Sequence, residues 1–281
     1  MTWAFPGLFV LLWSTGFIGA KLGLPYADPL IFLELRFLFV LAILLPLCWI
    51  CKAPWPSSRR ALQMAVSGGL LQAGYLGGVF ASLHHGMPAG VSALVTGMQP
   101  VLTAVLGSWL LRETITPRQW LGFFLGMGGV LLVVGDRIVV EHLSAAAVGL
   151  SVFALLSITL GTLWQKRHGA GIDLRTGAAI QFVAAALILA PFAMLEGGAV
   201  RWSGEFVFAL AWLVLVLSFG AIFLLLTLIR RGRATQVSSL FYLVPPTTAL
   251  IAWPLFGETY SLSAAAGMGL AMLAVWLVMK A

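Results

Sequence analysis

The chain has 281 residues, of which 61% are hydrophobic and 9% charged, with 16 Lys and Arg against 9 Asp and Glu. A soluble domain carries about 25% charged residues, so this chain cannot cover a water-facing surface and is expected in a lipid bilayer. The net charge of +7 does not imply a nucleic-acid partner, because the basic residues form short clusters between apolar runs and no polar basic segment is long enough to be a binding module.

A helix needs about 20 mainly apolar residues to cross a bilayer. Apolar runs between polar or Gly/Pro breaks predict ten spans: 3–20, 29–50, 62–83, 88–111, 118–135, 144–165, 176–195, 206–229, 234–256 and 262–279. Barrel strands would be about ten residues long and alternating, so the expected class is an all-α integral membrane protein with ten transmembrane helices. The first run has no basic stretch before it and no small-residue cleavage site, and reads as a span rather than a signal peptide.

The first span offers Trp13 and Ser14 as aromatic and hydroxyl contacts for a cavity. In the second, Glu34 and Arg36 are opposite charges two residues apart, on nearly opposite faces of a helix, so no direct pair is expected. Ionisable groups inside a membrane are costly and mark function or structural pairing. Arg36 is expected to bond carbonyls or an outer-loop acid such as Asp28. Glu34 is a candidate proton-coupling carboxylate, or a group simply near the interface. Cys48 and Cys51 close the second span without further ligands nearby, whereas zinc takes about four; reduced structural thiols are expected, with no metal and no cofactor.

Gln72 and Tyr75, three apart, add polar groups to the third span, and His84-His85 read as loop residues at its end. The fourth span carries "GVSALVTGMQP", in which Ser92, Thr96 and Gln99, with Thr103 beyond, share one helical face. Hydroxyls there are either helix–helix glue or cavity lining. An amide such as Gln99 at mid-depth needs partners. Pro100 is expected to leave a carbonyl one turn earlier without its donor, tolerable where protein or a wet cavity satisfies it. Glu113 and Glu258 are expected to cap the following helices, and Gly122/Gly126 and Gly267/Ala271 to let the fifth and tenth spans pack closely. Trp164 in the sixth span is a cavity contact or an interfacial anchor. The ninth span, "QVSSLFYLVPP", supplies Ser238 and Tyr242 before Pro245 and Pro246 as a second helix break.

Twelve of the 16 Lys and Arg fall on the side of the N-terminus if spans alternate, and three on the other. The positive-inside rule then predicts both termini in the cytoplasm of a bacterial-type plasma membrane. The halves also repeat. At an offset of 145, Gly16 falls on Gly161, Lys21 on Lys166, Asp28 on Asp173 and Arg36 on Gln181; at 146, Ser92 falls on Ser238 and Pro100 on Pro246. Five spans per half put residues 141–281 upside down relative to residues 1–140, the inverted arrangement of secondary transporters, whose broken helices point to the site.

"WSTGFIGAKLGL", "ELRF", "VSALVTGMQPVLTAVLGSWLLRETITPRQWLGFFLGMGGVLLVV" and the echo "PLFGETYSLSAAAGMGLAML" resemble the EamA family, the ten-helix branch of the drug/metabolite transporter superfamily. The resemblance covers both halves; Arg36 matches the family's second-span arginine, while Gln181 departs from it. It implies a central cavity between the halves worked by alternating access without ATP. A small-molecule substrate and the lipid bilayer are the implied partners, protons are a candidate coupling ion, and the protein is a monomer or weak homodimer. Few charges in the spans suit a zwitterionic or neutral solute, most simply an exported amino acid, over anionic sugar phosphates. A flippase for lipid-linked sugar or phosphate groups and a multidrug efflux pump are the alternatives. A membrane enzyme lacks its acid–base or metal constellation here.

Overall fold

The computed structural model describes residues 4–87, 92, 95–110, 114–138, 144–232, 234–256 and 262–279. Among these, every regular element is helical: α1 (Ala4–Gly23), α2 (Pro29–Ile50), α3 (Ser58–His84), α4 (Gln99–Leu110), α5 (Pro117–Ile138), α6 (Ala145–His168), α7 (Leu174–Glu196), α8 (Gly204–Arg231), α9 (Ala234–Ser239), α10 (Val244–Phe256) and α11 (Leu262–Met279). Six of them, α1, α2, α3, α6, α7 and α8, are long and apolar enough to cross a membrane. The distribution of polarity agrees with a lipid surround. Large apolar side chains such as Leu38, Leu187, Phe192 and Phe208 are exposed, whereas Arg36, Ser67, Gln72, Gln99, Gln165 and Gln181 are buried. Lipid tails welcome the first set, and the second must find partners inside the bundle.

Helix starts follow local sequence. Ser144, Asp173 and Ser203 cap α6, α7 and α8 by accepting from the amides of Ala147, Arg175 and Phe206, filling donors that a helix N-terminus leaves open. At α5, Thr116 and Gln119 bond reciprocally, Gln119 N to Thr116 Oγ1 at 3.2 Å and Thr116 N to Gln119 Oε1 at 3.0 Å, a capping box. The capping expected of Glu113 and Glu258 lies outside the described residues. Helix α7 ends on Gly197, whose φ of 63° is the left-handed cap conformation that only glycine adopts without strain.

Two spans depart from α geometry near their middles. Gly69–Gly74 within α3 and Leu213–Ala221 within α8 are π-helical, a widened turn common at functional sites. The proline breaks fall differently from the sequence expectation. Pro100 is the second residue of α4, after a turn at Gly97–Met98, and Pro245 and Pro246 are the second and third of α10, after the 3₁₀ turn Leu240–Leu243. The breaks therefore precede the prolines. Each proline sits in a first turn, where its missing N–H has no bond to make.

Helix α5 packs along α11, α2 along α7, α3 against α6 and α7, and α1 against α8 and α10. Glycine makes the first of these seams tight: a Cβ at Gly129 would lie 2.6 Å from Gly267 O, and one at Gly122 would lie 3.0 Å from Ala274 O. Gly126 is covered instead by the Tyr242 ring. The small residues of α5 and α11 thus pack within the chain. Away from the basic end, Glu196 accepts from the amides of Leu30 and Ile31, and Tyr26 donates to Glu205, tying α2 to α7 and α1's exit to α8.

Candidate functional site

Between α1, α2, α3 and α8 lies a cavity of about 40 Å³ walled by Trp13, Gly16, Arg36, Tyr75, Leu217 and Ile222. One water needs roughly 10–15 Å³ of such space, so the cavity has room for a few waters. Arg36 is 3% exposed, and its Nε donates to Ser218 Oγ at 3.0 Å. Ser218 in turn donates to Leu213 O at 3.0 Å, within the π-helical stretch of α8. The widened turn thus presents the hydroxyl that holds the guanidinium. Arg36 does not reach Asp28, whose carboxylate lies against Gly198.

Trp13 and Tyr75 stack at 6.2 Å and 15°, and Phe241 meets Trp13 edge-on at 5.3 Å. Behind this aromatic wall a smaller cavity of about 10 Å³ is shared by Trp13, Phe17, Tyr75, Thr96, Phe241 and Pro245. Five expected site residues therefore come together: Trp13, Arg36, Tyr75, Thr96 and Pro245. They converge because the break before α10 brings Phe241 and Pro245 against α1.

The remaining expected residues stand nearby in other roles. The expected polar face of Ser92, Thr96, Gln99 and Thr103 is buried at all four residues. Thr96 Oγ1 donates to Ser92 O at 2.9 Å, Ser92 lies 3.5 Å from Ser82, and Gln99 Nε2 donates to Thr162 Oγ1 of α6 at 3.2 Å. Gln99 Oε1, Thr103 Oγ1 and Gln72 Oε1 are buried without a partner among the described residues. Ser14 bridges α1 to α10, donating to Val10 O at 2.8 Å and Val244 O at 3.3 Å. Tyr242 is fully buried, and its hydroxyl donates to Phe123 O at 2.9 Å, so it anchors α5. Trp164 donates to Gln63 O at 2.8 Å and lies on His168 at 4.1 Å, locking the end of α6 to α3. Ser238 is fully buried. Glu34 is half-buried, with Oε2 unpartnered among the described residues. His84 and His85 are exposed at the end of α3.

Phe241, Ser218 and Thr162 complete these contacts and escaped the sequence reading. Ser218 lies in an uncharged apolar stretch, and Thr162 and Phe241 stand beside more conspicuous neighbours (Trp164 and Tyr242); only a contact with another helix gives each its role.

At the basic end, Lys166, Arg230 and Arg175 crowd the loops. Arg230 donates to Ile172 O, and Lys166 Nζ to Gly232 O. Asp173 takes two bonds from Arg175, at 2.8 and 3.0 Å, and the guanidinium, with the Arg175 amide, holds its carboxyl down at about 2. A depressed carboxylate contributes stability that is present above the unfolded value near 4 and is lost as pH falls through the folded one. Asp173→Ala is therefore expected to cost about 1 kcal/mol at neutral pH through the lost cap. In thermal melts the gap to the wild type should close as pH approaches about 2.

The EamA-like transporter family matches residues 3–135 and 145–280. The chain belongs to this family. It is similar to the uncharacterized transporter YvbV of Bacillus subtilis, 27% identical over 96% of this chain and 88% of that protein. It is similar also to the uncharacterized inner membrane transporter YedA of Escherichia coli K12, 27% identical over 98% of this chain and 90% of that protein. A probable amino-acid metabolite efflux pump of Salmonella typhimurium is 28% identical over 57% of this chain and 52% of that protein. A solved crystal structure superposes with a TM-score of 0.79 at 19% identity, covering 99% of this chain and 96% of the other, which shows the fold. As an EamA-like transporter the chain is a multi-pass protein of the plasma membrane, and the buried guanidinium beside stacked aromatics lies in a transporter's interior.

Proposed function

We propose that this EamA-like transporter is a secondary active exporter of small amphipathic metabolites of amino-acid type. It works by alternating access between two inverted five-span halves, residues 1–140 and 141–281, with α9 and α10 forming one of ten spans. The reading rests on the first cavity, where one buried cation, Arg36, faces the stacked rings of Trp13 and Tyr75. A guanidinium suits one carboxylate through its fork of donors, and the aromatic wall suits an apolar or aromatic side chain. A sugar phosphate, carrying more charge, would want a second cation at that depth. The efflux-pump relative's name supports the same substrate class.

Mirrored details support the inverted repeat. Gly16 packs on Leu217 and Gly161 on Leu71, pairs related by offsets of 145 and 146. Pro46 inside α2 and Pro191 inside α7 stand 145 apart, and the two π-helical stretches correspond. The clustered basic loops favour a cytoplasmic location for that end and for both termini. Export requires the halves to move.

The test is uptake of a panel of labelled amino acids into proteoliposomes, with and without a pH gradient. The wild type is expected to move aromatic or aliphatic amino acids, and Gln99→Ala to lose about tenfold of that rate, the scale of one hydrogen bond in a dry site. Stimulation by the gradient would bring Glu34 forward as the coupling carboxylate. No uptake across the panel by folded protein sinks the amino-acid reading.

A further inference from the structure

A second polar cluster lies between α3, α6 and α7. Ser67 Oγ donates to Gln165 Oε1 at 2.6 Å, and Gln181 Nε2 donates to the same oxygen at 3.3 Å. That arrangement fixes the Gln181 amide with its nitrogen towards Gln165. Gln181 Oε1 is left fully buried and without a partner among the described residues. Burying an unpaired amide oxygen is costly, and a glutamine that served packing alone would be better replaced by leucine or methionine.

Gln165 and Gln181 line a cavity of about 10 Å³ that also touches Gly169, Ile172, Asp173 and Arg230 at the basic end. Their counterparts at an offset of 145 are Ala20 and Arg36, and both of those line the first cavity. The same two repeat positions thus line one cavity as a pair from the first half and another as a pair from the second. In one half they present a cation; in the other, a carbonyl oxygen. Of the two charged groups at the second cavity, Arg230 is bonded through Nη2 to the Gly169 and Ile172 carbonyls and Asp173 is itself an acceptor, held by Arg175; neither bonds the Gln181 oxygen.

We propose that Gln181, oriented by Gln165 and Ser67, is a second binding station on the transport path, occupied when the bundle opens towards the basic end. Its carbonyl takes an N–H donor of the substrate, the ammonium group of an amino acid. The inference rests on the transporter reading above and adds to it. The carboxylate is held at Arg36 in one state, and the ammonium is held at Gln181 in the other.

Accessibility decides it independently of transport. Gln181→Cys and Gln165→Cys are made in a background with Cys48→Ser and Cys51→Ser, and folding is checked by gel filtration and thermal melting. Charged, impermeant methanethiosulfonate reagents are then applied to inside-out and right-side-out vesicles. Gln181→Cys is expected to react from the side of the basic loops. Gln165→Cys, which lines the same cavity and keeps the Gln181 carbonyl, is expected to react from the same side, about tenfold faster with the trimethylammonium reagent than with the sulfonate, and it serves alone where Gln181→Cys does not fold. No reaction from either side, with an exposed control cysteine labelled, overturns the station. Equal rates for the two charges overturn its preference for ammonium. Wild-type uptake, measured in parallel, separates the two readings. Uptake with both cysteines unreactive removes the station alone; reactive cysteines without uptake remove the amino-acid reading and leave the station.

Discussion

Arg36→Leu is expected to lower amino-acid uptake on the order of 100-fold while leaving the protein as stable as the wild type, or more so. The two halves of this outcome come from one geometry. The guanidinium is buried and bonded through Nε to a single hydroxyl, Ser218 Oγ, with its remaining donors at a cavity it lines. Removing one partner of a desolvated charge pair with a carboxylate costs about 2–5 kcal/mol of binding, which brackets the stated loss. The folded protein, by contrast, is relieved of an unpaired buried charge, whose desolvation is costly, and Ser218 keeps Leu213 O as its acceptor. Uptake and thermal melting on the same preparation check both. A fall in melting temperature with uptake retained would mean that Arg36 holds the bundle and not the substrate.

Gly68→Ala is expected to destabilise the bundle by about 3 kcal/mol, the upper range for overpacking, and to abolish uptake with it. A Cβ there would stand 2.3 Å from Gln181 O and 2.4 Å from Gln181 Cα. Those atoms are backbone in the middle of α7, so no rotamer change relieves the clash and α3 must move away from α7. The same movement would pull Ser67 from Gln165 and undo the cluster that orients Gln181. Gly149→Ala is the control: its Cβ meets nothing within 4 Å, and a change near zero or a small gain from helix propensity is expected. Equal melting temperatures for the two variants would show that α3 and α7 are not packed this closely.

Membrane class and the approximate bounds of the six long apolar helices were legible in the sequence. So was the inward face of Ser92, Thr96, Gln99 and Thr103, now found buried. These follow from composition and helical period, which are local: a bilayer selects for apolar length, and spacing alone says which side chains share a face. The spacing of Glu34 and Arg36 likewise implied that they would not pair, and they do not share a bond.

The partners of those faces were decided by tertiary structure. The sequence offers Tyr242 as cavity lining and Trp164 as a cavity contact or an interfacial anchor; in the fold Tyr242 donates its hydroxyl to Phe123 O and Trp164 its indole N–H to Gln63 O. Arg36 finds Ser218, 182 residues away, because a π-helical turn in α8 sets that hydroxyl opposite it. The helix breaks came before Pro100 and Pro245 rather than at them, since a proline opens a helix more cheaply than it interrupts one. Hydropathy records how each span is solvated, one span at a time. Which polar atoms converge depends on how each helix is rotated and how closely glycines such as Gly68 and Gly129 let neighbours approach, and that is settled only when the whole bundle packs.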